Sequence, residues 1–167
     1  MGTRCGDIDS AALLYIMSKD ELNLHDMSIL INKFSGLYGI SGESNDMREL
    51  EDAAAKGDAQ AKLAIDVFCY RVKKYIGSYS AALGHVDGIV FTGGIGENSP
   101  PVRAQVCAGL SEMGIQVDPA RNAAVVGKES EISTKDSRVR VMVIPTNEEL
   151  LIARDTFRVV RGLPNPH

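Results

Sequence analysis

The sequence predicts an α/β fold, and three observations lead to that expectation. A long segment, residues 59–83, carries apolar side chains spaced three and four residues apart, as one face of a helix requires. Two short apolar segments, 87–92 and 138–144, are rich in β-branched residues and have the pattern of strands. A helical pattern follows each of these two segments, and alternating strands and helices are typical of α/β proteins.

The start of the chain is predicted to be helical. A short helix capped by Asp9 or Ser10 would end near Met17, and a second helix would span residues 26–35. We expect both helices to face the core. Residues 34–42 are interrupted by glycines, which predicts a packed connecting loop and not a helix.

Capping signals place the next two helices. Asp46 and Glu49 resemble a capping box, with Asp in place of the usual Ser or Thr, and start a helix toward Lys56. After a glycine, Asp58 caps the long helix of residues 59–83, and Gly84 ends it.

The second half of the chain alternates between strands and helices. A helix is predicted over residues 101–113, and 115–117 and 131–133 are expected to be short extended pieces. After the second strand a last helix runs to Val160, and 161–167 is predicted to be a flexible tail. Two parallel strands cannot cover so many helices, so we expect the sheet to continue in sequence outside this chain.

Composition excludes several classes of function. The chain has 167 residues, of which 44% are hydrophobic and 24% charged, as is ordinary for one globular domain. A net charge of −4 and an aromatic content of 5% disfavour a nucleic-acid partner. No apolar run could span a membrane and no signal peptide is recognisable, which predicts a cytoplasmic location. The three cysteines are far apart and are predicted to be reduced and mostly buried.

A glycine-rich segment after the first strand, residues 93–98 (GGIGEN), is the strongest candidate for a ligand site. Gly93, Gly94 and Gly96 permit positive φ and leave backbone amides open to an anion, and the following helix offers unpaired N–H groups. These features predict a phosphate or nucleotide site. The alternative is a turn in which glycines serve geometry alone, and the third glycine of a dinucleotide motif is missing.

Acidic residues follow the second strand. If the two strands are parallel, Glu148 and Glu149 lie at the same sheet edge as the glycine-rich segment, where α/β proteins bind ligands. A carboxylate beside phosphates could hold Mg²⁺. The alternative is that both residues only complement the dipole of the last helix.

Two further positions could contact an anion. Arg4 lies in a glycine-flanked loop before the first helix, where a guanidinium could bind a carboxylate or phosphate. For Asp46, Met47 and Arg48 at a helix start, a nucleotide contact competes with plain capping. No role is assigned to any of the three histidines.

Five segments resemble the C-terminal portion of the acetate kinase family, in the same order and at family spacing. They are residues 1–9 (MGTRCGDID), 44–48 (SNDMR), 75–79 (YIGSY), 90–98 (VFTGGIGEN) and 143–150 (VIPTNEEL). The family belongs to the sugar kinase, Hsp70 and actin superfamily. The resemblance implies the C-terminal part of an actin-like, ribonuclease H-like ATPase domain, helix-rich with a partial and mostly parallel sheet. Residues 1–160 would form this incomplete domain.

The resemblance also implies an activity and site residues. The family exchanges phosphate between ATP and acetate, giving ADP and acetyl phosphate, with Mg²⁺ or Mn²⁺. The implied positions are Arg4 at the transferring phosphoryl group, Asp46, Met47 and Arg48 at the adenosine, Gly94, Ile95, Gly96, Glu97 and Asn98 at the phosphates, and Glu148 at the metal ion.

Other motifs of the family have no match in this sequence. They are an early asparagine for magnesium, an arginine for the acetate carboxylate, the catalytic aspartate, a transition-state histidine and a His-x-Gly-Asn-Gly phosphate loop. We therefore expect this chain to be about the last two fifths of such an enzyme, binding nucleotide at most by itself. Two alternatives stay open: part of a propionate or butyrate kinase, or a non-catalytic module for dimerisation or nucleotide sensing. The family implies a homodimer that pairs through this region.

Overall fold

The computed structural model describes residues 1–164, and these form two compact units. The first unit contains Met1–Val86 and Ala104–Ala108, and the second contains Asp87–Arg103 and the chain from Gly109 onward. Of the predicted tail, residues 165–167 lie outside the described part, and the last helix includes Arg161.

The first unit is built around one long helix. Its helices are α1 (Ser10–Lys19), α2 (Leu24–Lys33), α3 (Gly36–Ser41), α4 (Met47–Ala55) and α5 (Ala59–Leu83). Helices α3 and α4 pack against α5, whose buried positions Ala61, Ala64 and Cys69 are small enough for a close approach. The predicted limits of α5 are confirmed: Asp58 accepts hydrogen bonds from the first turn, and Gly84 closes the helix at φ +72°.

Two predictions for this unit are wrong. Residues 36–41 are helical, because the N–H groups of Leu37 and Tyr38 bond to carbonyls at the start of the chain, a tertiary contact that outweighs the low helix propensity of glycine. Helix α1 does not face the core, since none of its residues is buried. The apolar face of α5 is only partly covered, and Tyr79 and Leu83 are exposed.

The second unit contains a small mixed sheet. Its elements are β1 (Gly88–Phe91), α6 (Gly93–Asn98), α7 (Pro100–Cys107, which ends in the first unit), α8 (Pro119–Ala123), β2 (Ser130–Glu131), β3 (Arg140–Val143) and α9 (Glu148–Arg161). Within the described residues the strand order is β1-β3-β2. Strands β1 and β3 are parallel, which is the arrangement on which the predicted site depends, and Gly88 to Phe91 lie opposite Arg140 to Val143. The buried side chains of Val141, Val143 and Ile132 form the core beneath them.

One helix of this unit is shorter than predicted, and the other predicted pieces are confirmed. The helix expected over 101–113 ends at Cys107, because Gly109 adopts a φ of +76° and a 3₁₀ turn, Ser111–Met113, follows. The predicted extended pieces are confirmed: Ile115 bridges to Val139, and β2 pairs antiparallel with β3. Among the described residues no cysteine forms a disulfide bond, and Cys69 and Cys107 are buried, as predicted.

Candidate functional site

The carboxyl ends of β1 and β3 bring two of the predicted segments together. Phe91 and Val143 end the parallel strands side by side, so α6 and the start of α9 begin at the same sheet edge. There the Glu97 Oε1 atom accepts hydrogen bonds from the Thr146 backbone N–H at 2.7 Å and from its hydroxyl at 3.0 Å. These bonds, the backbone one first, lower the pKa of Glu97 and keep it an anion. The expected convergence at this edge is confirmed.

The glycine-rich segment is a short helix and not a loop. Only Gly93 has the predicted positive φ, at +70°, whereas Gly94 and Gly96 are helical. A Cβ at Gly96 would lie 3.3 Å from the Phe91 carbonyl carbon, so Gly96 allows α6 to pack closely on the end of β1. A Cβ at Gly94 would meet nothing within 4 Å, and this residue is exposed. Gly94 therefore leaves a clear patch of backbone at the sheet edge.

A buried arginine lies beneath this segment. The Arg103 Nη1 group donates to the carbonyl oxygens of Gly96 at 2.8 Å and Glu97 at 3.1 Å. On the exposed side, the Asn98 Nδ2 group donates to the Gly94 carbonyl oxygen at 2.9 Å. Sequence reasoning missed Arg103, because an arginine inside a predicted helix usually indicates a solvated surface position.

Glu148 is the first residue of α9, as predicted. The Asn147 side chain caps the helix by accepting from the Leu150 N–H at 3.0 Å, and the Glu148 carboxylate is exposed without a hydrogen bond to any described residue. No group of three potential metal-ligating side chains occurs in residues 1–164. A single free carboxylate fits Mg²⁺, which proteins commonly hold with one or two carboxylates while phosphates and water fill the other positions.

Arg4 belongs to the first unit, in a loop that neighbouring backbone holds in place. The Ser35 N–H donates to the Thr3 carbonyl oxygen and the Cys5 N–H to that of Ile31, each at 2.9 Å. The Arg4 side chain is exposed and forms no ion pair within the described residues. Its guanidinium is therefore available to an anionic ligand.

The loop that carries Arg4 is also fixed by a cluster that sequence reasoning did not identify. The Asp7 Oδ2 atom accepts from Arg71 Nη2 at 2.6 Å and from the Tyr75 hydroxyl at 2.7 Å. These contacts join the loop to α5. No local pattern signals them, since the partners are far apart in the sequence.

Asp46 and Arg48 perform the capping role that competed with ligand binding. Asp46 accepts a hydrogen bond from the Arg48 backbone N–H at 2.9 Å. Its carboxylate also accepts from Arg48 Nε at 3.1 Å and from Arg48 Nη2 at 2.6 Å. The pKa of Asp46 falls to about 2, mainly because of the Arg48 side chain. The predicted capping box does not form, because the Glu49 carboxylate accepts from the Ser44 hydroxyl instead. Met47 is buried.

Comparison with known proteins identifies the family. A family model described as the acetokinase family matches residues 1–154. The chain belongs to the acetokinase family. An acetate kinase from Heliobacterium modesticaldum is 52% identical over 162 residues, which cover 97% of this chain and 40% of that relative.

Solved structures of the acetokinase family agree with the fold. The acetate kinase of Porphyromonas gingivalis matches with a TM-score of 0.90 and 48% identity, over 96% of this chain and 40% of that chain. A propionate kinase from Francisella tularensis matches with a TM-score of 0.84 and 43% identity, over 93% and 39%. The predicted fold class, part of an actin-like ATPase domain, is confirmed, and the chain spans about two fifths of the length of these relatives.

The roles of the individual site residues stay predictions, although the chain belongs to the acetokinase family. Arg4 and the segment Asp46 to Arg48 lie in the first unit, whereas Gly94 to Asn98 and Glu148 lie in the second.

No helix among residues 1–164 has the length and apolar character needed to cross a membrane.

Proposed function

We propose that this chain binds ATP or ADP as part of a kinase that transfers phosphate between ATP and acetate. The observation that carries the proposal is the pair of hydrogen bonds from Thr146 to Glu97, which join the glycine-rich helix to the acidic start of α9. They lie at the carboxyl edge of two parallel strands, where open α/β sheets bind ligands. The relatives, named acetate kinases, supply the substrate class.

Each predicted residue has a chemical role in this proposal. The segment of α6 from Gly94 to Asn98, in which Gly94 and Asn98 are exposed, would contact phosphate oxygens, and Asp46 to Arg48 would contact the adenosine. Glu148 would hold Mg²⁺ or Mn²⁺, which neutralises phosphate charge when bound. Arg4 would stabilise the transferring phosphoryl group through its free guanidinium. A reaction of this kind needs positioning and positive charge more than covalent chemistry.

A calorimetric titration of the chain with MgADP tests the phosphate contact. Gly94→Val adds a side chain to the exposed patch at Gly94, where a Cβ meets nothing within 4 Å, so we expect the MgADP signal to disappear while the fold is kept. Gly77→Val in α5 is the matched control, because a Cβ there also meets nothing within 4 Å. A Gly94→Val chain that binds MgADP as tightly as the Gly77→Val chain would refute the site.

The metal role of Glu148 has its own control in the next residue. Glu148→Gln should weaken the binding of MgADP by about tenfold and leave metal-free ADP unaffected, since only the metal contact is lost. Glu149→Gln removes a neighbouring exposed carboxylate from the same helical turn and should change neither titration. Equal losses in both variants would mean that the two residues act through general charge alone.

Propionate is a second candidate for the molecule that accepts the phosphate, because a propionate kinase matches this chain at 43% identity. In that case the nucleotide site is the same, and only the carboxylic acid differs. Relative rates with acetate, propionate and butyrate in the whole protein discriminate these acceptors.

We also propose a cytoplasmic homodimer. Sedimentation at several concentrations would test the dimer.

A further inference from the structure

Arg103 is fully buried, with 0% of its surface exposed. A buried charge is costly unless hydrogen bonds compensate it. Five bonds do so here, one for each N–H of the guanidinium. Nε donates to Asn122 Oδ1 at 2.8 Å, Nη1 to the carbonyl oxygens of Gly96 at 2.8 Å and Glu97 at 3.1 Å, and Nη2 to those of Asn122 at 3.1 Å and Val125 at 2.6 Å.

None of these five acceptors is a carboxylate, so Arg103 is a cation surrounded by amide oxygens. Burial lowers the pKa of Arg103, but a guanidinium keeps its proton in proteins. An apolar side chain of similar volume would leave these five oxygens without their donors, so the five bonds also stabilise this part of the unit. Arg103 holds its acceptors in place, and two of them belong to α6.

The contacts to Gly96 and Glu97 fix two peptide planes of α6. Because a peptide unit is planar, holding its carbonyl oxygen also sets the direction of the N–H on the next residue. Arg103 thus holds the last turn of α6, in which the Glu97 and Asn98 N–H groups donate within the helix. Through Glu97 the same restraint extends to Thr146, directly before α9.

We propose that Arg103 is a positioning residue for the nucleotide phosphates, acting through the backbone of Gly96 and Glu97 without touching the nucleotide. The inference rests on the proposed function and adds to it the group that holds the phosphate-binding helix in shape. The buried positive charge also favours an anion over this helix.

The test compares Arg103→Lys with a variant that is destabilised elsewhere. Lysine keeps the charge but has three donors on one nitrogen in place of five on three nitrogens, so it cannot replace all five bonds. Ile132→Ala is the control, because Ile132 is fully buried in the same unit and is not one of the Arg103 acceptors. Urea unfolding and circular dichroism establish that each chain is folded at the titration temperature.

The expected result is a selective loss of phosphate binding. Arg103→Lys should raise the Kd for MgADP by about tenfold or more, whereas Ile132→Ala should leave it unchanged. In the free protein, hydrogen exchange should become faster at the Glu97 and Asn98 amides in Arg103→Lys, but not at Val141 and Val143 in β3. A purely structural role would accelerate both groups alike.

Two results overturn the inference, and they differ from each other. If the wild-type chain binds MgADP and Arg103→Lys binds it equally well, the positioning role is wrong while the proposed function stands. If the wild-type chain binds no MgADP, the proposed function fails and this inference fails with it. Should Arg103→Lys not fold, Asn122→Ala removes the Nε acceptor and should give a smaller loss in the same assays. An unchanged Kd in that variant would equally overturn the positioning role.

Discussion

At the scale of single residues, Gly36 supports the loop that carries Arg4. Its φ is +61°, and an added Cβ would lie 2.2 Å from the Met1 carbonyl oxygen and 2.8 Å from that of Arg4. Gly36→Ala should therefore lower the free energy of unfolding by more than the roughly 1–2 kcal/mol that left-handed backbone costs alone. The loop would also have to move, because both close atoms are backbone.

The Gly84→Ala variant separates the cost of the left-handed backbone from the cost of the close contacts. Gly84 has a similar φ of +72°, but a Cβ there meets nothing within 4 Å. Urea unfolding of both variants should show a clearly larger loss for Gly36→Ala. Equal losses would mean that the loop yields without cost and that Gly36 does not constrain Arg4.

The carboxyl group of Asp46 provides a prediction on pH. Its pKa of about 2 lies below the ordinary value of 3.8, mainly because of the Arg48 side chain. A depressed pKa means that this stabilisation is complete above pH 3.8 and is lost as the pH falls through about 2. A carboxyl-carbon NMR titration should find the low value, and Arg48→Ala should raise it toward 3.8.

The Arg48 backbone N–H still bonds to Asp46 in that variant, so the rise should be incomplete. Lys62→Ala breaks an ion pair elsewhere, with Asp66, and should leave the Asp46 titration unchanged. An Asp46 pKa near 4 in the wild-type chain would exclude the Arg48 contact in solution.

At the scale of elements, local signals decided which parts could be predicted. Helix α5 was predicted to the residue, because Asp58, Gly84 and the apolar spacing between them are signals within one segment. Helix α3 could not be predicted, because contacts with the start of the chain stabilise it. Strand β2, Ser130–Glu131, overlaps the extended piece predicted over 131–133, but its two residues are too few for a pattern that fixes the limits.

The candidate site also has parts that could be predicted from local sequence signals and parts that could not. The convergence of residues 93–98 with 147–149 followed from two recognisable strands on the condition that they are parallel, and the structure meets this condition. Arg103 was missed because its five acceptors lie on other turns and helices, and its own surroundings in sequence, PPVRAQVC, are those of an ordinary helix. The helical form of residues 93–98 was missed because three glycines in six residues indicate a loop.

The contact between Glu97 and Thr146 provides a prediction on how two elements are joined. Glu97→Ala removes the acceptor of the Thr146 N–H, so hydrogen exchange at this amide should accelerate by about tenfold. Glu97→Gln keeps an oxygen in the same place and should retain most of the protection. The Leu150 N–H, which the Asn147 side chain holds, is the internal reference and should not change. A Thr146 amide that exchanges equally fast in all three chains would show that α6 does not restrain α9.

At the scale of the whole molecule, apolar side chains remain uncovered on both units. Tyr79 and Leu83 are exposed on α5, and Leu151, Ile152 and Val160 are exposed on α9. Exposed apolar surface of this extent marks sites where other protein surface packs. It agrees with the finding that this chain spans about two fifths of the length of its acetate kinase relatives.

Binding and turnover should therefore separate in this chain. We expect MgADP to bind, because Gly94, Glu97 and Glu148 are present within one unit and Thr146 bonds to Glu97. We expect no acetyl phosphate, because no match to the catalytic aspartate or the His-x-Gly-Asn-Gly loop of the family occurs in the sequence. The measurement is acetyl hydroxamate formed from ATP, acetate, Mg²⁺ and hydroxylamine, with the Porphyromonas gingivalis acetate kinase assayed in parallel. A calorimetric titration of the same sample shows that inactivity is not a failure to fold. Hydroxamate at a rate near that of the reference enzyme would mean that these 167 residues contain a complete catalytic site, and that the assignment of the missing groups to sequence outside them is wrong.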